Sequence, residues 1–255
     1  MKEKYILKIY RGTPGHQYFE EFEMTFEPSA NVISALMEIR KNPVNKKGEK
    51  VTPIVWEDGC LEEVCGSCSM LINGVPRQAC TALIEPILRQ TNRDVITLAP
   101  LTKFPLVRDL QVDRTVMFES LKKVRAWIDS DGAYDRGPGP KLSQSKQQVL
   151  YILSTCMTCG CCSEACPQVS EKSKFIGPAI ISQARLFNAH PTGALEKTSR
   201  LHPLMEEGGI NDCGNAQNCQ QVCPKEIPLL DSIASVGRDV TVQAFKDLFS
   251  LPDRD

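Results

Sequence analysis

Cys60, Cys65, Cys68 and Cys80 stand in a C-x4-C-x2-C spacing with a fourth cysteine following, and Gly59, Gly66 and Gly74 lie among them. The x4-x2 spacing is that of plant-type 2Fe-2S sites. A loop wrapped around such a cluster must turn backbone N–H groups toward sulfur, and glycine permits the dihedral angles this needs. Zinc is the competing chemistry, because four cysteines also make a tetrahedral structural site, though usually as two C-x2-C pairs. Downstream, Cys156, Cys159, Cys162 and Cys166-Pro167 form C-x2-C-x2-C-x3-C-P, the bacterial ferredoxin run, whose fourth cysteine binds the other cluster of a pair. The second run this demands is Cys213, Cys219 and Cys223-Pro224, with Ala216 standing where its second cysteine belongs. Cross-ligation assigns Cys156, Cys159, Cys162 and Cys223 to a 4Fe-4S cluster, and Cys166, Cys213 and Cys219 to its neighbour. The methyl of Ala216 offers no lone pair to the remaining iron corner, which predicts a 3Fe-4S cluster in that place. Cys161 breaks the spacing and reads as a small buried apolar residue beside the cluster.

Composition narrows what such clusters could serve. Thirty Lys and Arg against 31 Asp and Glu leave a net charge of -1, so no basic field advertises nucleic acid. Mean hydropathy is -0.23, and no uncharged apolar run approaches the ~18 residues of a spanning helix. The opening Met1-Lys2-Glu3-Lys4-Tyr5-Ile6-Leu7 runs directly into strand pattern without the apolar block of a secretion signal, which leads us to expect a cytosolic bacterial product. Twelve cysteines in 255 residues are too few for a disulfide scaffold and many for a reduced compartment, which points to metal ligation. His16, His190 and His202 are not paired with cysteines at ligand spacing, which removes Rieske chemistry. There is no Gly-rich phosphate loop, dinucleotide fingerprint or nucleophile motif.

The elements that must position the cysteines fall into two styles. Alternation over Tyr5–Ile9 and Phe22–Phe26, around Gly12-Thr13-Pro14-Gly15, predicts a hairpin. Ser29 or Asn31 caps a predicted helix carrying Val32, Leu36, Met37 and Ile39 and ending before Pro43. Pro53–Trp56 and Val95–Leu98 read as further strands, and Asn73-Gly74 joins Ser69–Ile72 to Val75–Cys80 in a second hairpin. This is an α+β pattern. A helix with Val116, Leu121, Val124 and Ile128 as its stripe follows, and then Asp129-Ser130-Asp131-Gly132 and Gly137-Pro138-Gly139-Pro140 mark a boundary. Helical periods return at Gln147–Leu153, Pro178–Phe187 and Asp231–Phe249. The Lys46-Lys47-Gly48-Glu49-Lys50 run reads as a solvated loop.

Taken together, Glu57-Asp58-Gly59-Cys60, Cys65-Gly66-Ser67-Cys68, Pro105-Leu106-Val107-Arg108-Asp109-Leu110, Cys156-Met157-Thr158-Cys159-Gly160-Cys161-Cys162 and Cys223-Pro224-Lys225 resemble the iron-sulfur subunits of succinate dehydrogenase and fumarate reductase, the complex II family. The resemblance covers essentially the whole chain. It implies a β-grasp 2Fe-2S ferredoxin-like domain over 1–105, a helix and Gly/Pro linker over 106–146, and an α-helical ferredoxin domain with 4Fe-4S and 3Fe-4S clusters over 147–255.

It further implies an electron-transfer subunit of a succinate:quinone oxidoreductase, peripheral on the cytoplasmic face of the bacterial cell membrane. Its partners would be an FAD-bearing flavoprotein and a membrane-anchor cytochrome b, with the 2Fe-2S cluster toward the flavin and the 3Fe-4S cluster toward the quinone. Fumarate reductase, running electrons the other way, is the alternative, and a zinc-stabilised structural module the remote one. Where ubiquinone-reducing relatives follow the first Cys-Pro with aromatic residues, this chain has Gln168-Val169-Ser170-Glu171; where they have His, it has Gly214. These departures favour menaquinone and put Pro167, Gly214 and Arg238 nearest the quinone, with Arg238 beside Gly237, the position of a family lysine.

Overall fold

The computed structural model describes residues 3–128 and 141–249. The predicted breakers at 129–132 and 137–140 lie outside the described residues. Two compact units emerge from the contacts: Met1–Arg114 with Met157–Glu164, and Thr115–Cys156 with Ala165–Asp255.

In the first unit, β1 (Lys4–Thr13) and β2 (His16–Thr25) pair antiparallel, with Thr13 opposite His16 across the Pro14-Gly15 turn. Helix α1 (Val32–Lys41) starts in a capping box, Asn31 Oδ1 accepting from Ser34 N while Ser34 Oγ accepts from Asn31 N. Asn31 is therefore the cap, and Ser29 takes a positive φ before it. Strands β3 (Ser69–Ile72) and β4 (Val75–Gln78) close through Asn73 and Gly74, both at positive φ as a type I′ turn requires. Helix α2 (Ile84–Thr91) leads to β5 (Val95–Ala99), which lies parallel to β1. The mixed sheet runs β2-β1-β5-β3-β4. Val32, Leu36 and Ile39 join Leu7, Ile9, Ile96 and Leu98 in one apolar core, so α1 covers the sheet as in a β-grasp fold. Met37 faces outward, correcting its place on the expected stripe.

Pro53–Trp56 is extended but is not a strand. Its backbone bonds instead to one tight bend, Val55 N donating to Asp109 Oδ2 and Val55 O accepting from Leu110 N. Asp109, at φ +51°, forms that bend between β6 (Leu106–Arg108) and β7 (Gln111–Val112), a ribbon the hydropathy pattern did not announce.

In the second unit, α3 (Thr115–Lys123) buries Met117 and the following Val124, while Val116 faces solvent, so the stripe is rotated from the one expected. It is joined by α4 (Gln144–Ser154), α5 (Pro178–Ala189), α6 (Lys197–Met205) and α7 (Leu229–Phe249). Ile180, Ile181, Ala184, Leu201, Leu204, Val236 and Val240 form its core. Arg200, fully buried on α6, donates to the carbonyls of Arg125 and Trp127 at 2.9 and 2.8 Å and pins the chain after α3 onto this bundle. No helix among the described residues is long and apolar enough to cross a membrane.

Candidate metal centres

The loop from Trp56 to Cys68 has no regular structure and takes positive φ at Leu61, Glu63 and Gly66. Those turns aim amides inward. Cys60 Sγ accepts from the backbone N–H groups of Glu62, Val64 and Cys65 at 3.4, 3.2 and 3.3 Å, and Cys65 Sγ accepts from Cys60 N at 3.5 Å. Such a cage stabilises thiolates and bridging sulfides alike. The Cys60 amide, with help from Ser67, pulls the Cys65 thiol down to about 6. Cys68 and Cys80 lie together on the inner side, and burial pushes Cys68 up to about 12. Three of the cysteines thus share one loop, Cys80 joins them from beyond β4, and the donor set fits a 2Fe-2S cluster.

That loop is held from outside. Gly66 sits at φ +73°, and a Cβ there would lie 2.6 Å from Met157 O and 3.0 Å from Cys159 Cα. Arg114 donates to Gly66 O at 2.7 Å and to Cys159 O at 3.4 Å, and pairs with Glu57 at 3.2 Å. Glu164, in the helical turn Cys161–Glu164, accepts from Thr102 Oγ1 at 2.6 Å and Lys103 N at 2.9 Å. Cys161 is fully buried, with Gln78 Nε2 3.6 Å from its sulfur. The S–H of Cys161 pulls its neighbour Cys159 down to about 7, while Cys161 itself is pushed well above the ordinary thiol range by Cys159 and by burial. Arg114, Glu164 and Gln78 were missed in the sequence reading. Gln78 had a signal, a polar side chain at a core-facing period-2 position beside Cys80.

In the second unit Cys166, Cys213, Cys219 and Ala216 line a single cavity, with Pro167, Gly214 and Ile233. Asn215 and Gln217 both take positive φ and curl the chain around Ala216. The Cys219 thiol is pushed up by burial and by the nearness of Cys166 and Cys213. Asn218 ties the loop to Ala165 O at 3.1 Å. Three sulfurs and one methyl around one hollow fit a cluster with a ligand-free corner. Pro167 and Gly214 border the cavity; Arg238 is exposed on α7 and lies outside its lining. Of the remaining predicted ligands, Cys159 and Cys162 belong to the first unit, and Cys156 and Cys223 to the second. Among the described residues no three His, Cys, Asp or Glu side chains converge tightly enough for a single metal ion. His16 and His202 are exposed, and His190 Nδ1 accepts from Thr192 and Gly193 amides.

Residues 6–119 match the 2Fe-2S iron-sulfur cluster binding domain, and 152–227 the 4Fe-4S dicluster domain. The fold and these loops define an iron-sulfur protein with a 2Fe-2S ferredoxin domain followed by a helical 4Fe-4S domain. Over 232 residues the chain is 62% identical to the succinate dehydrogenase iron-sulfur subunit of Bacillus subtilis, spanning 91% of this chain and 90% of that one. It is 32% identical to the mitochondrial succinate dehydrogenase [ubiquinone] iron-sulfur subunit of Dictyostelium discoideum, over 80% of this chain and 70% of that one. Against the fumarate reductase iron-sulfur subunit of Wolinella succinogenes identity is 29%, over 87% and 89%. A chain of the Mycobacterium smegmatis Sdh1 complex in the apo form shares the fold, with a TM-score of 0.78 at 21% identity over 96% of this chain and 98% of that one. The chain belongs to the family of succinate dehydrogenase iron-sulfur subunits.

Proposed function

We propose that this subunit carries electrons from the FAD of a flavoprotein partner to a quinone at a membrane-anchor cytochrome b, on the cytoplasmic face of the cell membrane, in the direction of succinate oxidation. Iron-sulfur clusters supply one-electron chemistry whose potential depends on type, hydrogen bonding and burial. The chain's own residues hold and tune them. Cys60, Cys65, Cys68 and Cys80 bind 2Fe-2S; Cys156, Cys159, Cys162 and Cys223 bind 4Fe-4S; Cys166, Cys213 and Cys219 bind 3Fe-4S. The observation that carries this reading is the cavity shared by the last three cysteines and Ala216, a ligand set one short of a cubane's four. Identity of 62% to a succinate dehydrogenase subunit, against 29% to a fumarate reductase subunit, supports the direction.

The quinone we assign is menaquinone, bordered by Pro167 and Gly214, with Arg238 a nearby contact. Support comes from the side chains themselves. Gly214 removes the ring expected in ubiquinone-reducing relatives, and the space a Cβ would take there is filled by Gln168, whose Nε2 is 2.4 Å from that point. EPR and iron analysis of the purified complex, reduced stepwise with succinate and dithionite, tests the assignment: three signals and nine irons per chain are expected. A colourless zinc protein, or a succinate-reduced complex that leaves naphthoquinone untouched, would refute it.

A further inference from the structure

Gln78 lies on the buried face of β4, wholly out of water. Its amide oxygen is 3.4 Å from Cys68 Sγ, and its nitrogen is 2.9 Å from Ser69 Oγ and 3.6 Å from Cys161 Sγ. Ser69 Oγ donates to Gly66 O at 2.8 Å. This arrangement suits a protonated Cys68, whose S–H donates to the amide oxygen. A cysteine that ligates iron is a thiolate and has no such proton. The amide oxygen would then face an anionic sulfur in a site without water, where a mispaired polar group costs most.

A half-turn of the amide exchanges its oxygen and nitrogen within the same envelope. After it, N–H donates to Cys68 sulfur and the oxygen accepts from Ser69 O–H, while the single S–H of Cys161 stays with Cys159. Gly66 O, released by Ser69, keeps the 2.7 Å hydrogen bond from Arg114. Every buried polar group named is satisfied.

We propose that Gln78 is a positioning residue for the first cluster: its amide, oriented by Ser69, donates to the Cys68 sulfur and raises the reduction potential of the 2Fe-2S centre. The inference rests on Cys68 being a ligand of that centre. One-electron reduction adds negative charge to the sulfurs, so a donor aimed at one of them favours the reduced state.

The test is an EPR-monitored redox titration of the intact complex carrying Gln78→Leu, with iron counted in parallel. The reduced-to-oxidised ratio of the 2Fe-2S centre at fixed potential should fall about tenfold, a shift of about 59 mV for a one-electron couple, with the other two centres unmoved. Ser69→Thr, which keeps the hydroxyl that orients the amide, should leave the potential where it was. An unchanged or raised potential in Gln78→Leu with the 2Fe-2S signal intact overturns the proposal. Gln78→Met, similar in length and lacking a donor, takes over if the first variant fails to assemble. Loss of that one signal from both variants would make Gln78 a structural residue and overturn the tuning role. Absence of a 2Fe-2S signal from the unsubstituted complex would instead remove the ligand assignment itself.

Discussion

Arg11 and Asp109, 98 positions apart in the chain, are joined by a 3.1 Å hydrogen bond from Nε to Oδ1, with side chains 1% and 2% exposed. The pair is one edge of a larger figure. Asp109 also accepts from Gly12 N at 2.8 Å and Val55 N at 2.9 Å, and Arg11 reaches Glu20 at 2.7 Å and Thr52 O at 2.8 Å. One carboxylate thus fastens β1, the extended segment leading to Cys60, and the β6–β7 bend.

Asp109→Asn should destabilise the first unit by about 3 kcal/mol or more, because an amide presents a donor to at least one of these donors and leaves the guanidinium short of a counter-charge. Calorimetry of the complex should show an earlier first transition. An unaltered profile would mean that the carboxylate is dispensable.

Gly66→Ala forces a left-handed residue with a Cβ against Met157 O. The backbone term alone is about 1–2 kcal/mol, and the clash adds to it. The 2Fe-2S EPR signal should weaken strongly at undiminished 3Fe-4S signal.

Ala216→Cys supplies a sulfur to the cavity of Cys166, Cys213 and Cys219. The oxidised-state trinuclear EPR signal should vanish and one further iron should be found per chain. Persistence of the signal would place the ligand-free corner elsewhere.

Gly214→His displaces only the end of an exposed, flexible Gln168, so stability should change by no more than about 0.5 kcal/mol. The ratio of naphthoquinone to benzoquinone reduction should fall, most clearly when combined with Gln168→Ser. An unaltered ratio would separate this loop from quinone choice.

Much of this was legible because local chemistry decided it. Asn73-Gly74 demanded a two-residue hairpin, and Ser29 or Asn31 a helix start, of which the structure takes Asn31. What escaped depends on partners remote in sequence. Pro53–Trp56 has the apolar run of a strand, but its hydrogen bonds go to Asp109 and Leu110, which no local pattern connects to it. Helix α2 lacks a polar cap, Leu83 standing at that position, and has Pro86 in its first turn, so neither start signal was present. Val116 misled because α3 is too short for its stripe to be fixed by period alone. Gln78 was readable only as an anomaly, a polar group where the strand faces inward, and its meaning needed Cys68 and Ser69 at its side.

The eight residues Met157–Glu164 complete the first unit although forty-two residues of the second come before them in the chain. Translation therefore delivers the Phe104 and Gly66 surfaces long before Gly160 and Cys159 arrive to cover them. A nascent chain halted near residue 119 has every strand of the sheet and still lacks its last piece. Cofactor insertion into the first loop of such an arrested chain should accordingly be short-lived, and maturation of this centre should wait on the ribosome passing residue 164.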